Sequence, residues 1–536
     1  MGRVTRRGFL KKASGAAAAV AVSRALPGWA ANEAAGAPVK VWSTYRDRRY
    51  AAAESLAWEP LGDLTADAIV LDPRTEKQEI LGFGGAMTDA TCWVLSQLSA
   101  DERAAILHDL FAPTEMNLNV CRTCIGASDY SRNVYSFNES DEPDPTLAKF
   151  SIDHDKEYIL PVLRDARKLN PDLFLFSSPW SPPNWMKPNK SMLGGSMRKA
   201  SYDPYARYFL KFLQSYQAEG VEIQAVTIQN EVDADQDSRM PACLWGQEYE
   251  MEFAGQHLGP VLRQAGMKTK IWVLDHNYSL WGRAIDELSD PRVQEYVDGI
   301  AWHGYVGEAT AMTRVHDAFP MKNAYWTEGG PDVAAPDYAT DWARWGETFN
   351  GILNNWARCI TSWNVALDEH GKPNIGPFTC GGVITIENGS HKVTKSGQYW
   401  AYAHYSKHIK RGAKVIATNG LEIAPTGGLI APERPRRRTA GAVTHSGFRN
   451  PDGSFVVVLA NRGSERKTQL VLGNKSLELD LPADSLFTLQ WPGTEADLAQ
   501  FGFRSPQEIM KEIEARRKQL QEQQGTPATS TQPNQL

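Results

Sequence analysis

Residues Ile223–Val232 read IQAVTIQNEV, and their character changes midway along the stretch. The first half is a β-branched apolar run of the kind that forms a buried strand. It ends on Asn230 and Glu231, whose side chains burial would penalise. The stretch Asn323–Gly330 repeats this design, because an apolar run there leads into Glu328. Both stretches therefore predict strands that deliver a carboxylate at their ends.

Strand-like runs alternate with amphipathic stretches such as Tyr205–Gln217 and Tyr249–Gln264, which are long enough for crossover helices. Strands that alternate with helices in this way predict an α/β fold, a (β/α)8 or TIM barrel over residues 81–409. The predicted strands are Glu79–Thr88, Asn117–Asp129, Leu173–Pro182, Ile223–Val232, Thr269–Asn277, Gly299–Tyr305, Asn323–Gly330 and Cys359–Leu367.

Most of these strands finish on a side chain that can do chemistry. In a parallel barrel all strand ends open on one face, so these side chains should converge in a single pocket. The predicted pocket residues are Asp129, Trp180, Asn230, Glu231, Asn277, His303, Tyr305, Glu328, Trp363 and Asn364.

Short strand-like runs flank the predicted barrel on both sides, over residues 38–80 and 410–493. Neither segment has enough strands to be stable alone, so together they predict one β-sandwich attached to the barrel. Residues 494–536 are predicted to hold one helix, which starts at the capping sequence Ser505–Glu508, and a disordered polar tail after Gln524.

The N-terminal segment, residues 1–37, has the form of a twin-arginine export signal. Arg6 and Arg7 precede a weakly apolar, alanine-rich run that is too short to span a bilayer stably. We therefore expect an exported protein, periplasmic or extracellular, without stable membrane insertion. The net charge of the whole chain is −6, and the basic signal leaves the remainder more acidic still. That balance argues against nucleic acid as a main partner.

The six cysteines are scattered through a long chain and imply no disulfide framework. Cys121 and Cys124 form a C-x-x-C spacing, but they lie in a strand-like run where this spacing places them on opposite faces. They are interpreted as core thiols rather than a redox or zinc pair. Export would permit a disulfide, and the sequence leaves its pairing open.

Two glutamates at strand ends can cleave a glycosidic bond if one is held as an acid and the other as an anion across a sugar ring. The surrounding motifs resemble glycoside hydrolase family 30, whose best-known members are glucosylceramidases. This resemblance covers residues 82–407 and continues more weakly into the second β-segment. It is carried by GFGGAMTD at Gly82–Asp89, SPWSPP at Ser178–Pro183, QNE at Gln229–Glu231, HGY at His303–Tyr305, TE at Thr327–Glu328 and SWN at Ser362–Asn364.

The resemblance implies a barrel with an attached β-sandwich, retention of anomeric configuration, and no metal or organic cofactor. It assigns Glu231 as the general acid/base and Glu328 as the nucleophile. Glu328 must then be an anion, which a phenol from Tyr305 and a guanidinium from Arg122 would favour. Glu231 must keep its proton near neutrality, which burial and the charge of Glu328 would favour.

The same correspondence suggests roles around the sugar itself. Asp129 is expected to bind the distal hydroxyls of a terminal sugar, and Asn230 the hydroxyl next to the reacting carbon. Trp180 and Trp363 are expected to form walls against its apolar faces. Asn277, His303 and Asn364 are expected to line the rest of the site.

The first functional hypothesis is an exo-acting retaining β-glycosidase of the glucosylceramidase type, acting on a β-glucoside. The alternative is an endo-acting β-1,6-glucanase of the same family. The chain departs from the family in Val232, where a proline usually follows the acid/base, and in the loop Asp233–Cys243, which is unlike the substrate-entry loop of glucosylceramidases. A non-catalytic sugar-binding barrel and a metal-dependent hydrolase using Asp275, His276 and His303 are further alternatives. The sequence leaves the oligomeric state open.

Overall fold

The computed structural model describes residues 38–420, 443–493 and 504–523. The predicted export signal and the predicted disordered tail lie outside these ranges. Within them, none of the helices combines the length and hydrophobicity that a transmembrane span requires.

Four strands precede the barrel and belong to the β-sandwich domain. They are β1 (Lys40–Tyr45), β2 (Arg48–Ala52), β3 (Glu59–Pro60) and β4 (Ile69–Glu79).

Eight parallel strands then close into a barrel in sequence order, with the last strand paired to the first. The predicted (β/α)8 fold is therefore confirmed. The barrel strands are β5 (Gly82–Ala86), β6 (Val120–Cys124), β7 (Phe174–Ser178), β8 (Ala225–Thr227), β9 (Lys270–Asn277), β10 (Val297–His303), β11 (Asn323–Glu328) and β12 (Ala357–Ser362).

Helices connect the barrel strands and pack around them. They are α1 (Asp89–Ser96), α2 (Ala100–Phe111), α3 (Asp153–Glu157), α4 (Ile159–Leu169), α5 (Tyr202–Ala218), α6 (Gln247–Glu252), α7 (Gly259–Gln264), α8 (Trp281–Ser289), α9 (Pro291–Tyr296), α10 (Thr310–Ala318), α11 (Trp342–Asn354) and α12 (Gly397–Ser406). A π-helical segment, Phe253–Leu258, joins α6 to α7.

A small three-stranded sheet follows β12 and was not predicted from the sequence. Its strands are β13 (Ala366–Asp368), β14 (Ile384–Ile386) and β15 (Val393–Lys395). The chain then returns to the β-sandwich through β16 (Lys414–Asn419), β17 (Val443–Arg449), β18 (Phe455–Asn461), β19 (Arg466–Leu472), β20 (Lys475–Leu481) and β21 (Ser485–Trp491), and the described part ends with α13 (Pro506–Gln523).

The N-terminal and C-terminal strands combine in one domain, as predicted for the β-sandwich, and they are hydrogen-bonded into a ten-stranded sheet. Its order is β2-β1-β21-β18-β17-β16-β4-β19-β20-β3. Helices α11 and α12 pack against this sheet, so that buried residues of the sandwich such as Val456 and Leu486 share one apolar core with the barrel helices. His404 of α12 adds two buried polar links of 2.8 Å, to Thr44 of β1 and Thr488 of β21.

Large side chains fill the inside of the barrel. One residue from each of seven strands joins a separate apolar cluster, in which Trp272 of β9 stacks on Tyr325 of β11 at a centroid distance of 3.9 Å. The glycines of β5 let their strand approach β6 closely, because a Cβ on Gly84 would lie 1.8 Å from the backbone oxygen of Val120. Because the interior of the barrel is filled by side chains, a substrate-binding site must lie at the ends of the strands.

Several predicted strands are longer than the observed ones. Residues 223–232 were predicted as one strand, but β8 covers only Ala225–Thr227. The backbone beyond it leaves the regular ladder, since the Asn230 amide donates to Pro179 O and Glu231 has a positive φ. The polar strand ends belong to the loops that form the site.

Candidate active site

A cavity of about 490 Å³ lies where the carboxyl ends of the barrel strands meet their following loops. Residues that are distant in the sequence share its wall, as the strand pattern predicted. Among those lining it are Asp129, Trp180, Asn230, Glu231, Met240, His276, Asn277, Tyr305, Glu328, Trp363 and Phe378.

The backbone of Glu231 is held in an unusual conformation. Its φ of 55° is in the left-handed region, which costs a non-glycine residue free energy. Its amide donates to Asp275 O over 3.0 Å, and this bond ties the end of β8 to β9. The carboxylate of Glu231 is thereby presented to the cavity.

Glu328 ends β11 and is bound by a buried arginine and a phenol. The Arg122 guanidinium of β6 donates to one carboxylate oxygen, and Tyr305 donates to the other over 3.0 Å. The same guanidinium also donates to Asn230 Oδ1 over 2.9 Å and to Asp275 Oδ2 over 2.6 Å. Arg122 is therefore the common partner of Asn230 in the loop after β8, Asp275 of β9 and Glu328 of β11.

A bulge in β9 places Asp275 against Arg122. Leu274 and Asp275 both have positive φ, at 73° and 45°, and the pairing of β9 with β10 shifts register nearby. The Leu274 amide donates to Glu250 Oε1 over 3.0 Å. Arg283 in turn donates to Glu250 over 2.6 Å, so a buried ion pair supports the bulge from behind.

His303, the last residue of β10, lies between the carboxylates. Its Nδ1 is 3.3 Å from Glu231 Oε1 and 3.8 Å from Glu328 Oε1, and its Nε2 is 3.0 Å from Asp275 Oδ1. The two glutamate oxygens are therefore no more than about 7 Å apart, which includes the separation of about 5–5.5 Å found in retaining glycosidases.

His276 of β9 approaches Glu231 from the cavity side. Its Nδ1 is 3.6 Å from Glu231 Oε1, and its Nε2 is 2.5 Å from Asp233 Oδ1. Gln236 donates to the other oxygen of Glu231 over 3.2 Å. The carboxylate of Glu231 is thus contacted by two imidazoles and one amide.

These contacts set the protonation states of the site. Burial would raise the pKa of Glu231, but the hydrogen bond with His303 and the electrostatic interactions with both nearby imidazoles lower it below its ordinary value. Burial raises the pKa of Glu328 against the opposing charges of His303 and Arg122. Burial alone would lower the pKa of His303, yet the charges of Glu328, Asp275 and Glu231 raise it to about 9.

The expectation that Glu231 holds the proton in the free site is therefore wrong. The sequence argument considered only burial and the charge of Glu328, and it treated His303 as part of the lining. In the structure Nδ1 of His303 lies 3.3 Å from Glu231 Oε1, and this contact favours a proton on the imidazole and the anionic form of Glu231. Tyr305 and Arg122 do contact Glu328 as expected.

Six of the predicted sugar-contacting residues border the cavity. They are Asp129, Trp180, Asn230, Asn277, Tyr305 and Trp363. Trp180 and Trp363 stack on each other at a centroid distance of 5.0 Å, above the guanidinium of Arg122.

Two residues predicted to contact the sugar, His303 and Asn364, do not border the cavity. His303 is fully buried behind Glu231, because both of its ring nitrogens face carboxylates. Asn364 is also fully buried, and its Oδ1 accepts a hydrogen bond from Thr88 over 2.8 Å. Both side chains support neighbouring residues instead.

Asp129 stands out among the lining residues because one of its oxygens, the buried Oδ1, has no partner in the described ranges. Burial, followed by the charges of Glu328 and Glu231, raises the pKa of Asp129 well above its ordinary value. A buried oxygen without a partner is costly, so this carboxyl is suited to a ligand hydroxyl.

The loops around the cavity contain residues that sequence reasoning missed. A buried lysine, Lys187, donates to Ser181 Oγ over 3.0 Å, Met192 O over 3.2 Å and Ala242 O over 2.7 Å. Burial lowers its pKa to about 8. Lys187 thereby joins the loop after β7 to the loop that carries Met240, and no strand pattern signals such a contact.

The cavity of this TIM barrel contains two glutamates. One is bound by an arginine and a phenol, and the other is contacted by imidazoles. This is the arrangement of an enzyme that hydrolyses O-glycosyl bonds. Among the described residues, a single group of side chains could hold a metal ion, namely Glu231, His276 and His303. The metal-dependent alternative used Asp275 as a ligand, but Asp275 is not in this group of the described residues.

Comparisons with known proteins agree with this class. A model of the glycosyl hydrolase family 30 TIM-barrel domain matches residues 80–409, and a model of the family 30 beta sandwich domain matches residues 432–489. The chain belongs to glycosyl hydrolase family 30.

Three similar proteins are informative. An endo-1,6-beta-D-glucanase of Neurospora crassa is 32% identical over 403 residues, which cover 73% of this chain and 80% of the relative. The lysosomal acid glucosylceramidase of Mus musculus is 29% identical over 449 residues, covering 79% of this chain and 83% of the relative. The solved structure of an endo-beta1,6-glucanase is 28% identical with a TM-score of 0.74, and the match covers 85% of this chain and 99% of that chain.

Proposed function

We propose that this glycoside hydrolase is an endo-acting β-1,6-glucanase that retains anomeric configuration. The similarity to the Neurospora crassa endo-1,6-beta-D-glucanase carries the proposal, and the solved endo-beta1,6-glucanase supports it. The glucosylceramidase type, which the sequence motifs favoured, becomes the second candidate.

We assign the chemistry to the two cavity glutamates. Glu328 attacks the anomeric carbon while Glu231 protonates the leaving glycosidic oxygen, which gives a glycosyl ester on Glu328. Glu231 then takes a proton from water, the water attacks the same carbon, and the Glu328 carboxylate leaves. Arg122 and Tyr305, which both bind Glu328, stabilise the carboxylate before attack and after release.

The proton for the leaving oxygen comes through His303 in this proposal. Its Nδ1 is 3.3 Å from Glu231 Oε1, so transfer of one proton leaves a neutral imidazole and a protonated Glu231. Asp275 at the other ring nitrogen keeps the imidazole oriented. A substrate that expels water from the cavity favours this transfer, because it removes two charges from a low-dielectric site.

One observation favours the exo-acting candidate. The loop at residues 374–380 covers the side of the cavity that Asp129 occupies, since the Ile375 amide donates to Asp129 O over 2.7 Å and Tyr130 accepts from the Cys380 amide over 2.8 Å. A wall beside Asp129 would suit a terminal sugar whose distal hydroxyls bind this carboxyl.

The test compares three substrates: linear β-1,6-glucan, glucosylceramide and an aryl β-glucoside. We expect the glucan to give a series of short oligosaccharides early in the reaction. Glucose as the sole early product, or turnover of glucosylceramide alone, would instead establish the second candidate. An Asp129→Ala variant should lose far more activity in an exo-acting enzyme than in an endo-acting one.

The catalytic assignment is tested separately on the aryl β-glucoside. Glu328→Gln should be inactive, and azide should restore turnover to Glu231→Ala with formation of the β-glucosyl azide. Formation of the α-azide, or an active Glu328→Gln variant, would contradict the assignment. Unfolding curves that match the wild type show that each variant is folded.

We also propose export by the twin-arginine route, on the basis of Arg6 and Arg7 and the alanine-rich run that follows. A polysaccharide substrate outside the cell agrees with this. Replacing both arginines with lysine should keep the protein in the cytoplasm, which cell fractionation would detect, whereas continued export would contradict the proposal.

A further inference from the structure

Three possible ligand atoms, one from the loop after β8 and one each from β9 and β10, meet at the wall of the cavity. Glu231 Oε1, His276 Nδ1 and His303 Nδ1 all lie within 4.8 Å of one another. The glutamate oxygen is 3.3 Å from one imidazole nitrogen and 3.6 Å from the other. Ligand atoms around a tetrahedral zinc ion with bonds of about 2.0–2.1 Å are about 3.3–3.4 Å apart, so both distances from the glutamate oxygen are close to this spacing.

Each imidazole is also oriented by a carboxylate on its other nitrogen. His303 Nε2 is 3.0 Å from Asp275, and His276 Nε2 is 2.5 Å from Asp233. Imidazoles that bind metal ions in proteins usually donate their second N–H to a carboxylate in this way, which fixes the ring and the tautomer. The proposed proton transfer uses only the His303–Asp275 pair, so it does not account for the second pair, His276–Asp233.

Access and charge favour a cation at the same point. Glu231 and His276 border the cavity, so an ion could enter from it and keep its fourth position open to water. The carboxylates of Glu328, Asp275 and Asp233 lie around the three ligands, and the guanidinium of Arg122 pairs with two of them.

We propose that Glu231, His276 and His303 form an inhibitory site for one zinc ion. The ion would bind the oxygen that Glu231 needs for proton transfer and would displace the proton held between Glu231 and His303, so the catalytic acid would be lost. The inhibition rests on the proposed role of Glu231, whereas the binding itself does not. This differs from a metal-dependent hydrolase, since the ion stops the reaction rather than supporting it.

The test uses zinc chloride on the whole purified chain, with magnesium chloride as a hard cation that prefers oxygen ligands. Isothermal titration calorimetry should show one zinc ion per chain. Turnover of the aryl β-glucoside should fall with zinc, recover with EDTA and be insensitive to magnesium.

Variants locate the ion. His276→Asn removes a ligand, and Asp233→Asn removes only the carboxylate behind it, which should weaken zinc binding about 10-fold or more. The loss of zinc affinity in His276→Asn should be at least as large. His370→Asn is the matched control, because this histidine is exposed and does not line the cavity, and the zinc affinity of this variant should equal that of the wild type.

Two results would overturn the proposal: the absence of zinc binding to the wild type, and equal zinc affinity in the wild type and both cavity variants. Each variant is compared with its own metal-free activity, and Asp233→Asn serves if His276→Asn does not fold. Calorimetry needs no substrate, so a failure to bind zinc is distinguishable from a failure of the glucanase proposal.

Discussion

His303 determines where the proton lies in the free site. Its imidazole faces Glu231 and Glu328 with one nitrogen and Asp275 with the other, and these charges raise its pKa to about 9. Glu231 is thereby an anion before substrate binds, with its proton held one hydrogen bond away. The functional unit in the proposed chemistry is therefore a pair of residues that share a proton.

The pH profile should report this pair. Activity requires that His303 and Glu231 together hold one proton, which is bound below pH 9 and lost as the pH rises through about 9, so activity should fall there. Glu328 must be an anion, and its raised pKa places the acidic loss of activity at a higher pH than an ordinary glutamate would.

The profile of kcat/KM against pH should therefore have an acid limb, set by Glu328, and an alkaline limb, set by His303 and Glu231. Two variants distinguish these limbs. His303→Asn should move the alkaline limb to lower pH and reduce kcat/KM at neutrality by about 10²-fold. Tyr305→Phe removes a donor to Glu328, so it should move the acid limb to higher pH and leave the alkaline limb in place. An alkaline limb that does not move in His303→Asn would show that this imidazole does not hold the proton.

At the scale of elements, the site depends on an irregular strand. The bulge of β9 puts Asp275 and His276 where a regular strand would not, and Glu250 accepts the Leu274 amide that the bulge removes from the ladder. Arg283 neutralises Glu250 and also donates to Glu287 over 2.7 Å. Burial and the charge of Glu250 raise the pKa of Glu287 well above its ordinary value. This favours a neutral, protonated Glu287 beside the Arg283–Glu250 ion pair.

We expect Glu250→Ala to lower kcat by about 10-fold or more with little change in KM, because the bulge that orients Asp275 loses its support. The stability cost of the unpaired buried amide is about 1–3 kcal/mol. Glu250→Gln keeps an acceptor for Leu274, and Glu287 can ionise to pair with Arg283, so its kcat should approach that of the wild type. Equal losses of kcat in both variants would indicate general destabilisation.

The sequence predicts such elements only in part. Strands β5–β12 follow from apolar runs that end on polar residues, and the convergence of Glu231, Glu328, Asp129 and the tryptophans follows from the parallel barrel. The bulge at Leu274 could not be predicted from the sequence, because the residue type at this position is compatible with a regular strand. The partners of His276 and His303 are set across strands, and no local pattern records which nitrogen faces which carboxylate.

At the scale of the whole molecule, some buried residues of the β-sandwich belong to the same apolar core as the barrel helices, while others form a separate cluster within the sandwich. Leu486 of β21 is fully buried in the same cluster as residues of α11 and α12, and His404 hydrogen-bonds two sandwich strands. Neither part buries its own surface completely, so we expect the two to unfold together.

A core truncation on the sandwich side tests this. Leu486→Ala should cost about 2–5 kcal/mol of unfolding free energy, and the loss of activity and of circular dichroism should still coincide in one thermal transition. Leu520→Ala, at an exposed position of α13, is the control and should leave the transition temperature almost unchanged. Two separate transitions would show that the barrel is stable without the sandwich.

The buried Lys187 constrains how this enzyme could acquire a new specificity. Its ammonium is bonded to oxygens of two loops, so replacing either loop alone would leave a buried cation or buried carbonyl groups without partners. The loop after β7 and the loop after β8 should therefore be inherited as a unit, and a chimera that exchanges both between relatives should fold where single exchanges fail. The catalytic strand ends would stay constant while this pair of loops varies.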